Sequence, residues 1–328
     1  MWALARVTCV QIGFFAPHVG PSSRDNIARA CDVADELGAD ILWAVDHIAF
    51  PYGFEAVYPY ATHEFGESPD RPLEWWDCLS VLTFLAARTE RVRIGTGVLV
   101  LPYRHPVATA KAIATIDQLS GGRVLFGVGV GWLRDEFEAL QLHPFDARGA
   151  VTDEQLAIMK SVWTSERASF AGRFYDFPEL SVTPKPAQRP HPPILVGGNS
   201  VPALRRTIRA GDAWHALMLL PEEMVEHRDR LHAMAREAGR TDEIPVSLLV
   251  GTTLRKDAST LPGLDDAHRR QAMVGTVEQV VDQLVAYRDA GVAHVHTFVA
   301  TDDTIGLHDP VDGMDLFLRE VWPAFLAR

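Results

Sequence analysis

The chain has 328 residues, of which 47% are hydrophobic and 23% charged, and its formal net charge is −12. This length suits one large barrel domain or two ordinary domains, and it allows a large buried core. The acidic residues are spread along the chain, and such a surface argues against nucleic acid or an anionic membrane as the main partner.

Cysteine usage and hydropathy predict a cytoplasmic protein. Cys9, Cys31 and Cys78 are odd in number and widely spaced, which is typical of reduced thiols and not of a disulfide framework or a zinc site. No segment approaches the roughly 18 consecutive apolar residues that a membrane helix needs, so the sequence predicts no membrane span.

The first half of the chain alternates between short apolar runs rich in valine and isoleucine and longer patterns typical of helices. The predicted strands are residues 7–14, 41–45, 93–99 and 124–128. The predicted helices are residues 23–37, 73–88, 106–119, 133–140 and 152–163. Gly38 and Gly121 follow the first and third of these helices, where glycine commonly ends a helix.

The second half repeats this alternation. Its predicted strands are residues 194–196, 213–217, 245–252 and 294–299. Its predicted helices follow Ser200, cover residues 221–238, open at Thr276 and close the chain over residues 311–327. Thr276 and Gln279 fit the T-x-x-Q pattern of a capping box. Eight strand–helix alternations predict an α/β fold, a single (β/α)8 TIM barrel over residues 1–328, with a doubly wound open sheet as the alternative.

Three segments are longer than ordinary connections: residues 48–71, 165–193 and 254–275. In a barrel, loops that follow strands lie at the catalytic face, so the first and third insertions belong there. The second precedes the fifth predicted strand, which anchors it at the opposite end. The first is rich in aromatic residues, and we expect it to contribute to an apolar substrate pocket or lid.

Two glycine-rich strand ends are candidates for cofactor binding. Gly127, Gly129 and Gly131 do not form a G-x-G-x-x-G fingerprint, because Trp132 stands where the third motif glycine belongs. Two interpretations stay open for them: tight turns into a helix, or close backbone approach to a flat cofactor. Gly197 and Gly198 precede a helix start, which predicts either a phosphate site or an ordinary turn with Asn199 or Ser200 as the N-cap.

Asp46 and His47 end the second predicted strand, where a carboxylate beside an imidazole is typical of a catalytic site, although a structural histidine is an equal alternative. His294 and His296 share one face of the last strand, and we expect a hydrogen-bonded core or pocket role rather than a metal site. Trp75 and Trp76 are expected to pack the second helix against the barrel. No metal ligand set is predicted.

Longer blocks of sequence resemble a known family. The stretch from Arg91 to Trp132 reads RVRIGTGVLVLPYRHPVATAKAIATIDQLSGGRVLFGVGVGW. Further blocks read GADILWAVDH, GRFYDFPEL, PKPAQRPHPPILVGGNS and ALRRTIRAGDAWH. Together they resemble the luciferase-like monooxygenase superfamily, and within it the branch of probable F420-dependent oxidoreductases. The resemblance covers residues 7–299.

The resemblance implies a flavin or deazaflavin ring at the carboxyl-terminal mouth of the barrel. It places His47 beside the ring, a cis peptide at Gly97–Val98 behind the ring, and Arg104 within reach of a cofactor phosphate. The phosphate-holding turn of the family corresponds to Gly197, Gly198 and Asn199, and the ring approaches Gly129 and Gly131. Sugar-phosphate dehydrogenase relatives carry a catalytic glutamate where this chain has Trp132, which argues against sugar-phosphate oxidation.

The function that the resemblance implies is hydride transfer between coenzyme F420 and a small organic substrate, with His47 as proton donor or acceptor and Asp46 fixing its surroundings. An FMNH2- and O2-dependent monooxygenase is the alternative, and a non-catalytic flavin-binding protein is a further one. The resemblance also implies a homodimer.

Overall fold

The computed structural model describes residues 10–54, 58–60, 73–256, 269–270, 272–301 and 309–328. Its strands are β1 (Gln11–Phe15), β2 (Ile41–Ala44), β3 (Arg93–Val100), β4 (Val124–Gly129), β5 (Ala168–Ala171), β6 (Asp176–Leu180), β7 (Ile194–Gly197), β8 (Ala213–Leu217), β9 (Val246–Leu249), β10 (Gly251–Leu254), β11 (Ala272–Gly275), β12 (His294–Thr297) and β13 (Val299–Thr301). Its α-helices are α1 (Arg24–Leu37), α2 (Cys78–Arg88), α3 (Pro106–Leu119), α4 (Arg134–Ala139), α5 (Arg148–Thr164), α6 (Val201–Ala210), α7 (Pro221–Glu237), α8 (Val277–Asp289), α9 (Pro310–Leu316) and α10 (Trp322–Leu326).

Eight parallel strands close into a barrel in the order β1-β12-β9-β8-β7-β4-β3-β2. The predicted (β/α)8 barrel is therefore confirmed and the open sheet is excluded. That residues 1–328 form one domain stays a prediction, because residues 7–9 of the first predicted strand and parts of the first and third insertions lie outside the described residues. None of the helices that the structure describes is long and apolar enough to cross a membrane.

Two predicted strands are in fact interrupted. The predicted strand 245–252 divides into β9 and β10, and the predicted strand 294–299 divides into β12 and β13. The second member of each pair leaves the barrel and joins β11 in a separate three-stranded parallel sheet. Since β10 and β13 continue barrel strands past their carboxyl ends, this small sheet stands on the rim of the barrel where loops after strands lie. The second insertion contains the β5–β6 antiparallel hairpin.

Some helix boundaries match the prediction and others differ from it. The capping box at Thr276 and Gln279 is confirmed, and α3 has the predicted bounds. The second helix was predicted five residues too early: it begins at Cys78 because the Asp77 carboxylate accepts the Ser80 N–H and caps it. The closing helix is interrupted by a π-helical turn over Phe317–Val321, just before Pro323, which has no N–H to donate.

A single tryptophan fills the centre of the barrel. Trp43 is fully buried with apolar side chains from the neighbouring strands. A Cβ on Gly13 would lie 2.3 Å from its Nε1, and one on Gly95 would lie 2.4 Å from its Cζ3. These glycines are therefore required by the size of the indole. The imidazole of His296 stacks on Trp43 at a centroid distance of 4.9 Å.

Three histidines line the interior beside Trp43. His215, His294 and His296 are all buried. The Nδ1 of His215 lies 2.9 Å from Ser247 Oγ. The predicted core position of His294 and His296 is confirmed, whereas the ring nitrogens of both find no hydrogen-bond partner among the described residues. Burial lowers the pKa of His215 and of His294 to about 4, and it lowers that of His296 well below 6.5.

These histidines predict that the fold loses stability in mild acid. Their native pKa values lie below 6.5, so the unfolded chain binds more protons as the pH falls toward about 4. Each fully buried histidine should lower the free energy of unfolding by about 2 kcal/mol between pH 6.5 and about 5. Urea unfolding across this range measures the slope.

The substitution His294→Gln should make that slope shallower, because glutamine does not titrate. The matched control is His105→Gln, since His105 is exposed at the surface and should leave the slope unchanged. Identical slopes for all three proteins would show that the buried histidines do not govern the pH dependence.

Candidate active site

Asp46 and His47 are adjacent just beyond the end of β2, but their side chains contact different groups. The Asp46 carboxylate accepts two hydrogen bonds from Arg104, at 2.6 and 2.8 Å, and one from the Val100 N–H at 3.0 Å. The His47 Nδ1 instead lies 2.7 Å from the Glu136 carboxylate. The two residues therefore belong to separate polar clusters.

Glu136, on α4, is the residue that holds His47. Its side chain is 0% exposed. Besides His47, the carboxylate accepts the N–H groups of Ile48 at 2.7 Å and Ala49 at 3.0 Å, and the Tyr103 hydroxyl at 2.6 Å. Burial opposes ionisation of this group, but these hydrogen bonds outweigh it and keep the pKa of Glu136 below its usual value. The glutamate is thus a buried anion whose donors surround it.

Hydrogen bonding fixes the tautomer of His47. The indole Nε1 of Trp132 lies 3.3 Å from His47 Nε2. An indole N–H only donates, so Nε2 must be the acceptor. Nδ1 then carries the proton and donates it to Glu136. His47 is a neutral imidazole whose basic nitrogen faces away from the carboxylate.

Aromatic side chains enclose His47. The rings of Phe50 and Trp75 lie 4.4 and 4.8 Å from the imidazole. Tyr58 packs on Trp132 at a centroid distance of 5.3 Å. Trp75 precedes α2 and forms a β-bridge with Val19, so the prediction that it packs the second helix was wrong; Trp76 does pack on the main core.

The Gly97–Val98 peptide is cis, as the resemblance implied. It lies at a register shift in β3, and the half-buried Val98 side chain projects toward the glycine-rich strand ends. A Cβ on Gly129 would lie 2.6 Å from Val98 Cγ2, and one on Gly197 would lie 2.9 Å from Cγ1. The glycines therefore form a low apolar floor around Val98.

Hydrogen bonds between side chains and the backbone hold the turn after β7. Gly198 has a φ of +115°, a conformation that favours glycine. Ser200 is the N-cap of α6, while the Asn199 side chain bonds the backbone of Leu217 at 2.7 and 3.0 Å. The backbone N–H of Asn199 points to the Tyr60 hydroxyl oxygen at 3.4 Å. This N–H thus faces an oxygen atom from the long loop after β2.

Of two arginines at the mouth, Arg104 is paired with carboxylates and Arg148, among the described residues, is not. Arg104 is paired with Asp46 and also lies 3.3 Å from Asp77, so its predicted contact with a phosphate stays a prediction. Arg148 donates to the carbonyl groups of Gly131 at 3.2 Å and Phe145 at 3.0 Å. It forms no ion pair with a carboxylate of the described residues. Arg148 is therefore a cation available to an anion beside the Gly131 turn.

Sequence reasoning found His47 but missed its partner. Asp135 and Glu136 both follow the glycine run, and the sequence does not say which of them points inward. The catalytic role of Asp46 stays a prediction. Its carboxylate accepts hydrogen bonds from Arg104 and from the Val100 N–H. Among the residues described, no group of three or more His, Cys, Asp or Glu side chains is arranged to hold a metal ion.

Comparison with known proteins agrees with this architecture. An uncharacterised protein of Mycobacterium tuberculosis is 35% identical over 70% of this chain and 77% of its own. An FMNH2-dependent dimethylsulfone monooxygenase of Pseudomonas putida is 32% identical over 63% of this chain and 58% of its own. An F420-dependent glucose-6-phosphate dehydrogenase of Amycolatopsis mediterranei is 28% identical over 87% of this chain and 91% of its own.

Solved structures share the fold. A monooxygenase from Streptomyces bottropensis superposes with a TM-score of 0.74 at 24% identity, covering 96% of this chain and 100% of its own. An F420-dependent secondary alcohol dehydrogenase superposes with a TM-score of 0.77 at 18% identity, covering 96% and 99%. The family described as luciferase-like monooxygenase matches residues 7–262. The chain therefore belongs to the luciferase-like monooxygenase family.

Proposed function

We propose that this protein is an oxidoreductase that transfers a hydride between coenzyme F420 and a small neutral organic substrate at the barrel mouth. Coenzyme F420 supplies or accepts the hydride at C5 of its deazaflavin ring. The observation that carries the proposal is the Glu136–His47 pair, which holds a neutral imidazole with its basic Nε2 directed toward an aromatic enclosure. His47 moves the proton that accompanies the hydride.

The residues at the mouth fit such a cofactor. Val98 and the glycines around it give a flat apolar floor, and a Cβ at Gly129 or Gly197 would collide with Val98. We assign the ring to this floor, at Gly97, Val98, Gly129 and Gly131. The phosphate is assigned to Gly197, Gly198 and Asn199, whose N–H already faces an oxygen atom. We assign Arg148, which lies beside the Gly131 turn, as the cation that pairs with this phosphate.

The buried pair lets His47 act in both directions of the reaction. In the neutral form, Nε2 accepts a proton from the substrate, and the resulting imidazolium remains beside the Glu136 anion. In the reverse direction the imidazolium donates that proton. Because Glu136 is ionised before the proton arrives, the pair needs no reorganisation of charge around it.

The enclosure favours a neutral substrate. Phe50, Trp75 and Trp132 supply apolar surface around His47. The nearby carboxylates of Asp46 and Glu136 are already engaged. Oxidation of a phosphorylated sugar is also disfavoured, because the chain has Trp132 where the sugar-phosphate dehydrogenase relatives carry a catalytic glutamate.

An FMNH2-dependent monooxygenase is the second candidate, favoured by the Pseudomonas putida relative. Parallel titration of the purified protein with F420 and with FMN distinguishes the two. Micromolar affinity for F420 alone supports the proposal, affinity for FMN alone replaces it with the monooxygenase, and affinity for neither removes both. Homodimer formation and a cytoplasmic location stay predictions.

His47→Ala should lower turnover by about 10²–10⁴-fold, the usual contribution of general acid–base catalysis, while cofactor affinity changes much less. His47→Gln is the control, because it keeps a polar side chain that cannot exchange protons. Single-turnover kinetics measures the effect. An unchanged rate of hydride transfer in His47→Ala would end the catalytic interpretation.

Glu136→Gln should lower turnover by about 10–100-fold, since a charge-assisted hydrogen bond contributes roughly 1.5–3 kcal/mol. The matched control is Tyr103→Phe, which removes another donor from the same carboxylate and leaves the His47 contact intact. We expect it to retain most of the turnover. Equal losses in the two variants would mean that the carboxylate serves the fold and not His47.

Arg148→Met should weaken binding of the phosphate-bearing cofactor by about 10-fold or more, because a charge-assisted contact is lost. Affinity for the same ring without its phosphate should stay unchanged. Arg134→Met is the matched control: Arg134 also stacks on Phe145 but is paired with Asp146. Equal weakening of both ligands by Arg148→Met would place the phosphate elsewhere.

A further inference from the structure

We infer that Trp132 caps the reactive nitrogen of His47, and that a substrate reaches this nitrogen by displacing the indole with a hydroxyl or amine donor of its own. Trp132 is then the residue that determines substrate class, and the class is that of donor-bearing molecules such as alcohols. The inference deepens the proposed function and rests on it for the role of His47.

The first step is that both nitrogens of His47 are occupied without substrate. Nδ1 donates to Glu136 at 2.7 Å, and Nε2 accepts from Trp132 at 3.3 Å. An imidazole has no third hydrogen-bonding position in its plane. Proton exchange with a substrate therefore requires that one of these two contacts breaks.

The second step is that the contact with Trp132 is the weaker one. The Glu136 bond is short, joins an ionised acceptor, and lies where the carboxylate is fully buried. The Trp132 bond is longer, joins two neutral groups, and involves a half-buried side chain. Hydrogen bonds to charged groups contribute about twice as much as neutral ones. Substrate therefore replaces the indole and not the carboxylate.

The third step concerns what moves. Gly131 has a φ of +82°, and a Cβ there would lie 2.7 Å from Phe137 Cε2, so the backbone before Trp132 is closely packed. The indole itself packs on Tyr58 and Phe54, at 5.3 and 6.5 Å, from the long loop after β2. A ligand that enters between these rings displaces the tryptophan side chain and leaves its backbone in place.

The fourth step gives the selectivity. When the indole leaves, Nε2 loses its donor, and an unpaired acceptor in an enclosed site costs about 1–3 kcal/mol. A substrate with an O–H or N–H group at the reacting atom restores the hydrogen bond. An analogue of the same shape with only an acceptor does not restore it. The cap thus favours an alcohol over its ketone while His47 is neutral.

The experiment measures the rate at which diethyl pyrocarbonate modifies His47 at about pH 8, by mass spectrometry of the peptide that contains it, with no cofactor present. Trp132→Phe should raise this rate by about 3–10-fold, because a neutral hydrogen bond that masks Nε2 is lost. The matched control is Trp75→Phe. Trp75 also packs on His47, but it makes no hydrogen bond to it. Equal acceleration in the two variants would overturn the inference.

A second measurement uses the wild-type protein and needs no variant to fold. Cyclohexanol should protect His47 from modification at a concentration at least threefold lower than cyclohexanone, which has a similar ring and no donor. Equal protection by the two probes would overturn the selectivity. Because neither measurement uses a cofactor, failure of both cofactor titrations would remove the proposed function and leave the capping result to be judged separately.

Discussion

The burial of one carboxylate sets the geometry of the mouth. Glu136 is withdrawn from water, and an ionised group in that position is tolerated only when donors surround it. Its donors come from the segment after β2, from Tyr103 after β3, and from no part of α4 itself. The connections after β2, β3 and β4 therefore meet at the Glu136 carboxylate, and this contact sets the orientation of His47.

Packing inside the barrel explains much of the glycine content at the same end. Gly13 and Gly95 make room for Trp43, and Gly97 makes room for His296, whose Cε1 would lie 2.5 Å from a Cβ at that position. Gly127, Gly129 and Gly197 make room for Val98 and its strand. A glycine-rich strand end thus has an internal cause even before a ligand is considered. The same glycines, which lack side chains, also leave the strand ends open to a flat molecule, so internal packing and ligand access favour glycine at the same positions.

The parts of the fold that sequence predicts well are those whose signals are local. Helix α3 has Pro106 at its start and glycines after its end, and β8 is a short apolar run with the predicted bounds. The break between β9 and β10 and the partnership of Glu136 with His47 depend on contacts between distant segments. The spacing of residues along the chain does not indicate which inward-facing carboxylate contacts which imidazole.

The separation of Asp46 from His47 has a consequence for folding fidelity. A slip of β2 by one residue in one direction would place Asp46 where His47 lies, opposite the Glu136 carboxylate, and would leave Arg104 facing Val45. The opposite slip would place the His47 imidazole beside the Arg104 guanidinium in place of its anion. Either slip is electrostatically unfavourable. Asp46 and His47 therefore help to specify the register of β2, because a barrel with β2 misaligned would be less stable even before a ligand binds.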